Sequence, residues 1–296
     1  MRRLRDKSSG VITSVDLRKR SVRLLYWATF GFVFLVSLIC ILPPLWIFLS
    51  GFKDMKEFLS VPPTIFPKTF DIRKIGQVWT TLNFGKYYLN TLYLVVGEVV
   101  FCIVLNGLAG YVLSRLKPTG TAAIMTLLFW TMLLPSSVNM VPLFMTIIDF
   151  PILHINMSNT YWSMWLMAGA NAFYVLLFRS FFNSIPMSYL EAARIDGATS
   201  LGIFTKIIMP LSKPIVMVIT IFSINASWES FLWPYLVLRD SELYTVAVQL
   251  YMLKDSGFAT DKYLIVLMFT VIPPAVVFMM FSKYIMEGAN MSGLKG

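Results

Sequence analysis

The sequence predicts an all-α membrane protein of six transmembrane helices, with a helix-turn-helix on the cytoplasmic face between helices 4 and 5. Three observations carry this expectation. Of 296 residues, 57% are hydrophobic and only 14% charged, and the mean hydropathy of +0.71 is far from that of a water-soluble domain. Uncharged runs reach the ~20 residues that a helix needs to cross the hydrocarbon core. Between two such runs stands one island of charged and small residues, "SYLEAARIDGATSLGIFTKIIMPL" at 188 to 211.

The elements follow in chain order. A tail over 1–23 carries Arg2, Arg3, Arg5, Lys7, Arg18, Lys19, Arg20 and Arg23, which the positive-inside rule places in the cytoplasm. Helix 1 is expected over Leu24 to Leu49; the run is too long for a signal peptide and lacks a small-residue cleavage site. The outer segment, about 50 to 86, is rich in Pro and polar residues and reads as short interfacial helices and turns. It carries Lys53, Lys56, Lys68, Arg73, Lys74 and Lys86, against the charge rule, but the denser N-terminal cluster dominates. Helix 2 is expected over Tyr87 to Ser114, containing Glu98, helix 3 over Pro118 to Ile148, and helix 4 over Phe150 to Phe178, interrupted only by His154. A cytoplasmic loop over 181–213 precedes helix 5, Pro214 to Leu238 with Glu229 inside, and helix 6, Tyr263 to Ser282. Residues 24–285 form one six-span membrane domain, and 286–296 a cytoplasmic tail. Six spans put both termini inside and the segments near 149–158 and 239–262 outside.

Several function classes are excluded. Cys40 and Cys102 both fall inside predicted spans, so neither a disulfide framework nor a metal cluster is indicated. His154 is the only histidine, too few for a zinc site or a Ser-His-Asp site with partners at hand. No G-x-x-x-x-G-K-[ST] phosphate cradle occurs, so energy from ATP has to enter through another subunit. The net charge of +10 reads as a topology signal with anionic-lipid contact rather than a nucleic-acid footprint.

Within the island, Ser188 and Glu191 have capping-box spacing, so a short helix is expected to start there and to end at Gly197 in a left-handed cap. Thr199 or Ser200 then starts a second short helix carrying Leu201, Phe204, Ile207 and Ile208 before Pro210. Ala192, Ala193 and Ala198 keep the turn slim enough for a partner's groove to close around it. The pattern alone also suits an amphipathic loop lying on the membrane surface.

The stretch "EAARIDGATSLGIFTKIIMPLSKP" resembles the EAA signature of ABC importer permeases, with Glu191, Ala192, Ala193, Gly197, Ile208 and Pro210 at the matching positions. The resemblance extends over nearly the whole chain and is to the carbohydrate branch, in particular the maltose-type second permease. It rests on "LPPLWIFLSGFK" at 42 to 53, "LNTLYLVVGEVVFCIVLNGLAGYVLSRL" at 89 to 116, "LLPSSVNMVPLF" at 133 to 144, "ASWESFLWPYLVLRD" at 226 to 240 and the terminal "MSGLKG". Cys102, Asn106 and "GLAGY" depart from the family's plainer residues and double alanine. The resemblance implies a permease subunit of the bacterial or archaeal cytoplasmic membrane, importing a carbohydrate, in particular an oligosaccharide. It further implies a second homologous permease, two ATPase subunits that carry ATP and Mg, and an extracellular or periplasmic binding protein. This chain would bind no cofactor and no metal and hold no catalytic residue. Its residues for ATPase coupling would be Glu191, Ala192, Ala193, Asp196, Gly197 and Ala198, and the terminal "MSGLKG" would reach between the ATPases.

Glu98 and Glu229 are the acids well inside predicted spans, where an ion needs a reason. Either each is bonded within the bundle or faces a wet cavity, or the two form a proton relay. Asn225, Trp228, Glu229 and Trp233 combine polar groups with aromatic faces, which suits a sugar, and form the candidate substrate path. Pro135, Pro142, Pro273 and Pro274 mark places where helices 3 and 6 are expected to break. Other readings stay open: an ABC permease for a non-sugar solute, a proton-coupled secondary carrier working alone, or a non-transporting scaffold.

The topology generates a first prediction. In a background with Cys40 and Cys102 replaced, the thiol of Ser200→Cys reacts with a membrane-impermeant reagent only from the cytoplasmic side. Labelling from the outside in intact cells would reverse the orientation.

Overall fold

The structure, a computed structural model, describes residues 19–292, without the side chains of Ser136 and of 282–292. Most of the basic tail expected at 1–23 and the last four residues of the expected tail 286–296 lie outside the described residues.

Among the described residues the chain is helical, with no β-strand and one isolated bridge between Phe150 and Ile155. Helix α1 spans Arg20–Ser50. Two short helices, α2 (Met55–Phe58) and α3 (Ile72–Thr81), fill the segment expected to hold interfacial helices. Helix α4 runs over Phe84–Leu116, with π-helical stretches at Cys102–Asn106 and Val112–Leu116. Then come α5 (Thr121–Leu133), α6 (Ser136–Ile148), α7 (Trp162–Gly169) and α8 (Ala172–Ser184). The island forms α9 (Met187–Ile195) and α10 (Ser200–Leu211), followed by α11 (Lys213–Glu229), α12 (Leu232–Val237), α13 (Val246–Asp255) and α14 (Thr260–Ser292).

Helices α1, α4 and α14 are each long and apolar enough to cross a membrane. The bent pairs α5–α6, α7–α8 and α10–α11 match them in apolarity and length when each pair is taken together; α7–α8 bends by 42° and α10–α11 by 81°. Two expected spans are corrected. Helix 4 does not begin at Phe150: residues 149–161 form a turn-rich loop, because its polar groups bond across the fold instead of along a helix. The Asn159 backbone amide donates to the Val237 carbonyl at 2.8 Å, and the Asn159 side chain accepts from the amides of Arg239 and Asp240. Helix 5 does not reach Leu238 either: α11 stops at Glu229 and Ser230 is extended. In a continuous helix Pro234 would deprive the Ser230 carbonyl of its donor and clash with it. After the break Pro234 falls in the first turn of α12, where a missing amide costs nothing.

The prolines expected to break helices 3 and 6 divide. Pro135 does so: Leu134 before it is extended, and α6 starts after it. Pro142, Pro273 and Pro274 are accommodated inside α6 and α14. In α14 the two carbonyls left without donors, four residues back, are those of Phe269 and Thr270. The Tyr88 hydroxyl donates to the first and the Trp228 indole, at 3.1 Å, to the second.

A third such repair joins α4 to the α7–α8 bend. The buried Asn106 amide donates to the carbonyls of Cys102 and Ala168, both at 2.9 Å, and its oxygen accepts from the Asn171 amide at 3.0 Å. Close helix approach does the rest. A Cβ on Gly97 would lie 2.1 Å from the Trp165 indole, and one on Gly110 2.7 Å from Phe178 Cβ, so glycine in "GLAGY" is a packing requirement. Among the described residues buried side chains gather in three groups: one around Phe178, Phe182 and Leu190, one around Phe84, Ile265 and Phe269, and one around Leu94, Met164 and Trp165. Helix α1 leaves nearly all its apolar side chains exposed, as a helix facing lipid would.

Three lysines of the outer segment, Lys53, Lys74 and Lys86, have partners nearby. Lys53 is buried, its ammonium donating to the Thr64 carbonyl 4.1 Å above the Trp46 ring. Lys74 pairs with Asp261 at 2.9 Å and bonds the Lys53 carbonyl, and Lys86 pairs with Glu242. These charges tie α3 and the start of α4 to α14 and the 241–243 turn.

Asn106→Leu keeps the volume and removes the repair at the α7–α8 bend. Each buried group left unpaired costs about 1–3 kcal/mol, so the purified full-length chain melts at a clearly lower temperature than wild type. An unchanged melting curve would deny Asn106 this role.

Candidate functional site

Two places combine exposure with chemistry: the α9–α10 turn and the cavities around the end of α11. The turn is built from both flanks. Pro186 holds Ile185 extended and so ends α8. The Arg115 guanidinium, at the end of α4, donates to the Ile185 carbonyl and to that of Phe182, which also accepts from the Ile185 amide at 3.2 Å. Helix α9 then starts at Met187 with Pro186 before it, which corrects the expected capping box: Ser188 lies inside the first turn and caps nothing.

The far end of α9 matches the expectation. Gly197 takes φ +81°, its amide bonds the Arg194 carbonyl, and the Ala198 amide reaches back to Ala193 at 2.9 Å. This is a Schellman cap, which needs the left-handed residue that glycine supplies. Thr199 caps α10 by accepting from the Gly202 amide at 3.1 Å. Helix α10 carries a π-helical stretch over Phe204–Ile208 and runs through Pro210 to Leu211 before the bend into α11.

The inner face of the unit packs Leu190, Ala193, Ile203, Phe204 and Ile208 against Tyr111, Phe178 and Phe182. Ala193 is therefore buried within this chain, and its small size serves that packing. Glu191, Ala192, Asp196, Gly197 and Ala198 are exposed, and neither acid forms an ion pair among the described residues. Tyr189 and Ile195, which the sequence analysis does not single out, and Leu201, expected on the second helix, are exposed by 55%, 87% and 63%. Their signal was apolar character beside charges, at positions that the inward-facing pattern of α9 and α10 does not use.

The four candidate path residues are not brought together. Trp228 faces a cavity of about 730 Å³, and its indole N–H is already bonded to Thr270. Glu229, exposed at the end of α11, lines the same space with Phe231, Tyr251, Tyr263 and Lys254. Phe231 stacks on Tyr235 at 5.2 Å and meets Tyr251 at 4.8 Å, an aromatic cluster at the cavity edge. Trp233 lines a second cavity of about 210 Å³, with Glu98, Asn171, Tyr174 and Ser227. Asn225 lines neither. The break at Ser230 turns the chain between Glu229 and Trp233 and so separates Trp233 from Trp228 and Glu229.

Residues 103–288, more than half the chain, match the family described as binding-protein-dependent transport system inner membrane component. The polygalacturonan/rhamnogalacturonan transport system permease protein YtcP of Bacillus subtilis is 29% identical over 93% of this chain and 99% of its own. The arabinooligosaccharides transport system permease protein AraQ of Halalkalibacterium halodurans is 29% identical over 94% and 99%. Among solved structures, a chain of a bacterial ABC transporter involved in the import of the acidic polysaccharide alginate superposes with a TM-score of 0.77, at 24% identity, covering 90% of this chain and 98% of that one. It shares the fold.

Burial separates two adjacent alanines. Ala193→Trp overpacks the core behind the turn and sharply lowers the yield of monodisperse full-length protein in detergent, whereas Ala192→Trp leaves it near wild type. Equal yields would mean that Ala193 does not face inward.

Proposed function

We propose that this chain, which belongs to the family of inner membrane components of binding-protein-dependent transport systems, is the permease subunit of an ATP-driven ABC importer for a carbohydrate, in particular an oligosaccharide. It forms half of the translocation pathway and couples to a separate ATPase. The observation that carries this reading is the α9–α10 unit: a capped, rigid turn held from inside by its own core, with an exposed apolar rim beside Glu191 and Asp196, within the stretch that matches the family.

In this reading both termini and the turn are cytoplasmic. A second homologous permease completes the pathway, two ATPases that hold ATP and Mg dock beneath, and a binding protein delivers the sugar from outside. Ile195 and Leu201 enter the ATPase groove, with Glu191, Ala192, Asp196, Gly197 and Ala198 around them. Ala193 supports the joint from behind. Because Arg115 fastens the α8–α9 junction to α4, and Phe204 packs on Tyr111, movement of the turn carries α4, α8 and α11 with it as a body. ATP then shifts the population between inward-open and outward-open states.

The larger cavity suits an oligosaccharide. Its volume accommodates more than one ring, Phe231 and Tyr251 offer faces for sugar C–H groups, and Glu229 and Lys254 on its lining offer polar groups to hydroxyls. The names of both relatives described above refer to oligomeric or polymeric sugars.

Uptake of a labelled oligosaccharide into cells, with parallel co-purification of the ATPase, tests the reading. Ile195→Asp combined with Leu201→Asp leaves the chain in the membrane but lowers ATPase retention and uptake by about a hundredfold or more, since each buried apolar side chain contributes about 1.5–3 kcal/mol. Glu191→Ala is milder, about tenfold or less, as befits one rim contact. Full uptake by the double variant, or uptake that persists without the ATPase, overturns the reading.

A further inference from the structure

The loop between α2 and α3 exposes apolar side chains where a loop in water would carry polar ones. No charged residue occurs over 58–67, and Leu59, Val61, Ile65 and Phe66 are all exposed, Val61 by 94% and Phe66 by 71%. Apolar surface that a chain leaves uncovered in this way marks a contact with another molecule or with a membrane. Two nearby charges are engaged inside the loop. Glu57 accepts from the Thr64 hydroxyl and the Lys68 amide, both at 2.9 Å, and the buried Lys53 ammonium donates to the Thr64 carbonyl. Bonds to Thr64 therefore shape the tip. Pro62, Pro63 and Pro67 carry no amide, which lowers the number of backbone donors that would suffer on leaving water.

The place of the loop follows from α1, which ends at Ser50. Phe70 meets Phe52 at 5.2 Å, Phe52 meets Phe48 at 5.7 Å, and Lys53 lies 4.1 Å from the Trp46 ring. The loop is thus fastened to the last turns of a helix that exposes nearly all its apolar side chains, at the level where that helix leaves the hydrocarbon. Lys56 and Lys68 flank the tip, both exposed and without an acid partner among the described residues.

We propose that residues 59–66 form an interfacial membrane anchor. Val61, Ile65 and Phe66 enter the boundary between headgroups and acyl chains in the leaflet where α1 ends, and Lys56 and Lys68 reach lipid phosphates beside them. A lipid surface is favoured over a protein partner because the tip continues the exposed face of α1 and both flanking charges are cationic, as phosphates require. Lys74, which bonds the Lys53 carbonyl and pairs with Asp261, links the anchor to the first turn of α14. The anchor thereby sets the height of both helix ends in the bilayer. The proposal does not depend on what the chain transports.

Spin labels test it in the full chain, purified with its partner subunits, with Cys40 and Cys102 replaced, in vesicles of phosphatidylethanolamine and phosphatidylglycerol. A nitroxide is attached at Val61→Cys, at Phe66→Cys and, as a reference on the exposed side of α3, at Gln77→Cys. Its collisions with oxygen, which concentrates in lipid, and with a neutral nickel chelate, which stays in water, are read by electron paramagnetic resonance. At 61 and 66 the oxygen-to-chelate collision ratio is expected to exceed that at 77 by about fivefold or more, the equivalent of ~1 kcal/mol in favour of lipid. Reversing both flanking charges, Lys56→Glu with Lys68→Glu, is expected to lower the ratio at both labels, and an unchanged ratio overturns the phosphate contacts. A ratio at 61 or 66 no higher than at 77 places the tip in water and overturns the anchor. Few collisions with either reagent mean that protein covers the tip, which overturns it equally.

Discussion

A helix that bends or admits proline in a medium without water leaves carbonyls and amides that must be bonded by the protein itself. That constraint organises this fold. Asn106 closes the α7–α8 bend, Tyr88 and Trp228 close the carbonyls opened by Pro273 and Pro274, and Arg115 closes the junction between α8 and α9. Each repair comes from a different helix than the one it repairs. The breaks therefore double as joints: the groups that relieve them are also what hold α4 to α8, α4 and α11 to α14, and α4 to the α9–α10 unit.

The same logic sorts the residues of the α9–α10 turn. Packing falls on Leu190, Ala193, Ile203, Phe204 and Ile208, and cap geometry on Gly197 and Thr199. That leaves Tyr189, Ile195 and Leu201 with no structural task inside the chain, exposed and apolar next to acids. The unit therefore presents an apolar rim that its own packing does not use, backed by its own core and caps. At the other end of α11 the residues also sort between two faces. Within α11 the helical repeat already sets Trp228 and Glu229 at one cavity and Ser227 at the other, and past the break Phe231 returns to the first and Trp233 to the second.

Much of this was legible in the chain. The apolar runs located α1, α4 and α14, Pro135 located one break, and Gly197 with Thr199 located the turn between α9 and α10. The misreadings share one cause. No Asp, Glu, Lys or Arg interrupts residues 150–161 or 230–238, yet no helix runs unbroken through either, because Asn159 bonds the 237–240 turn and Pro234 cannot donate to Ser230. Ser188 and Glu191 had the spacing of a capping box, but Pro186 had already begun the helix. Trp228, read as part of a sugar path, has its polar edge on Thr270, a need created by a proline 46 residues later in the chain.

By itself the sequence determined the class of the protein, the positions of its long apolar helices and the existence of a capped turn in a charged island, because these depend on composition, length and local backbone chemistry. It also carried the spacing by which the family is recognised. Only the tertiary structure decided that Ala193 faces inward while Ile195 and Leu201 face out, that Asn106 and Arg115 are joints, and that Glu98 shares a cavity with Ser227 and Trp233. Those outcomes depend on which freed backbone group or open face each side chain meets across the bundle. Partners so far apart in sequence leave no local pattern, and their pairing is settled only when the helices pack.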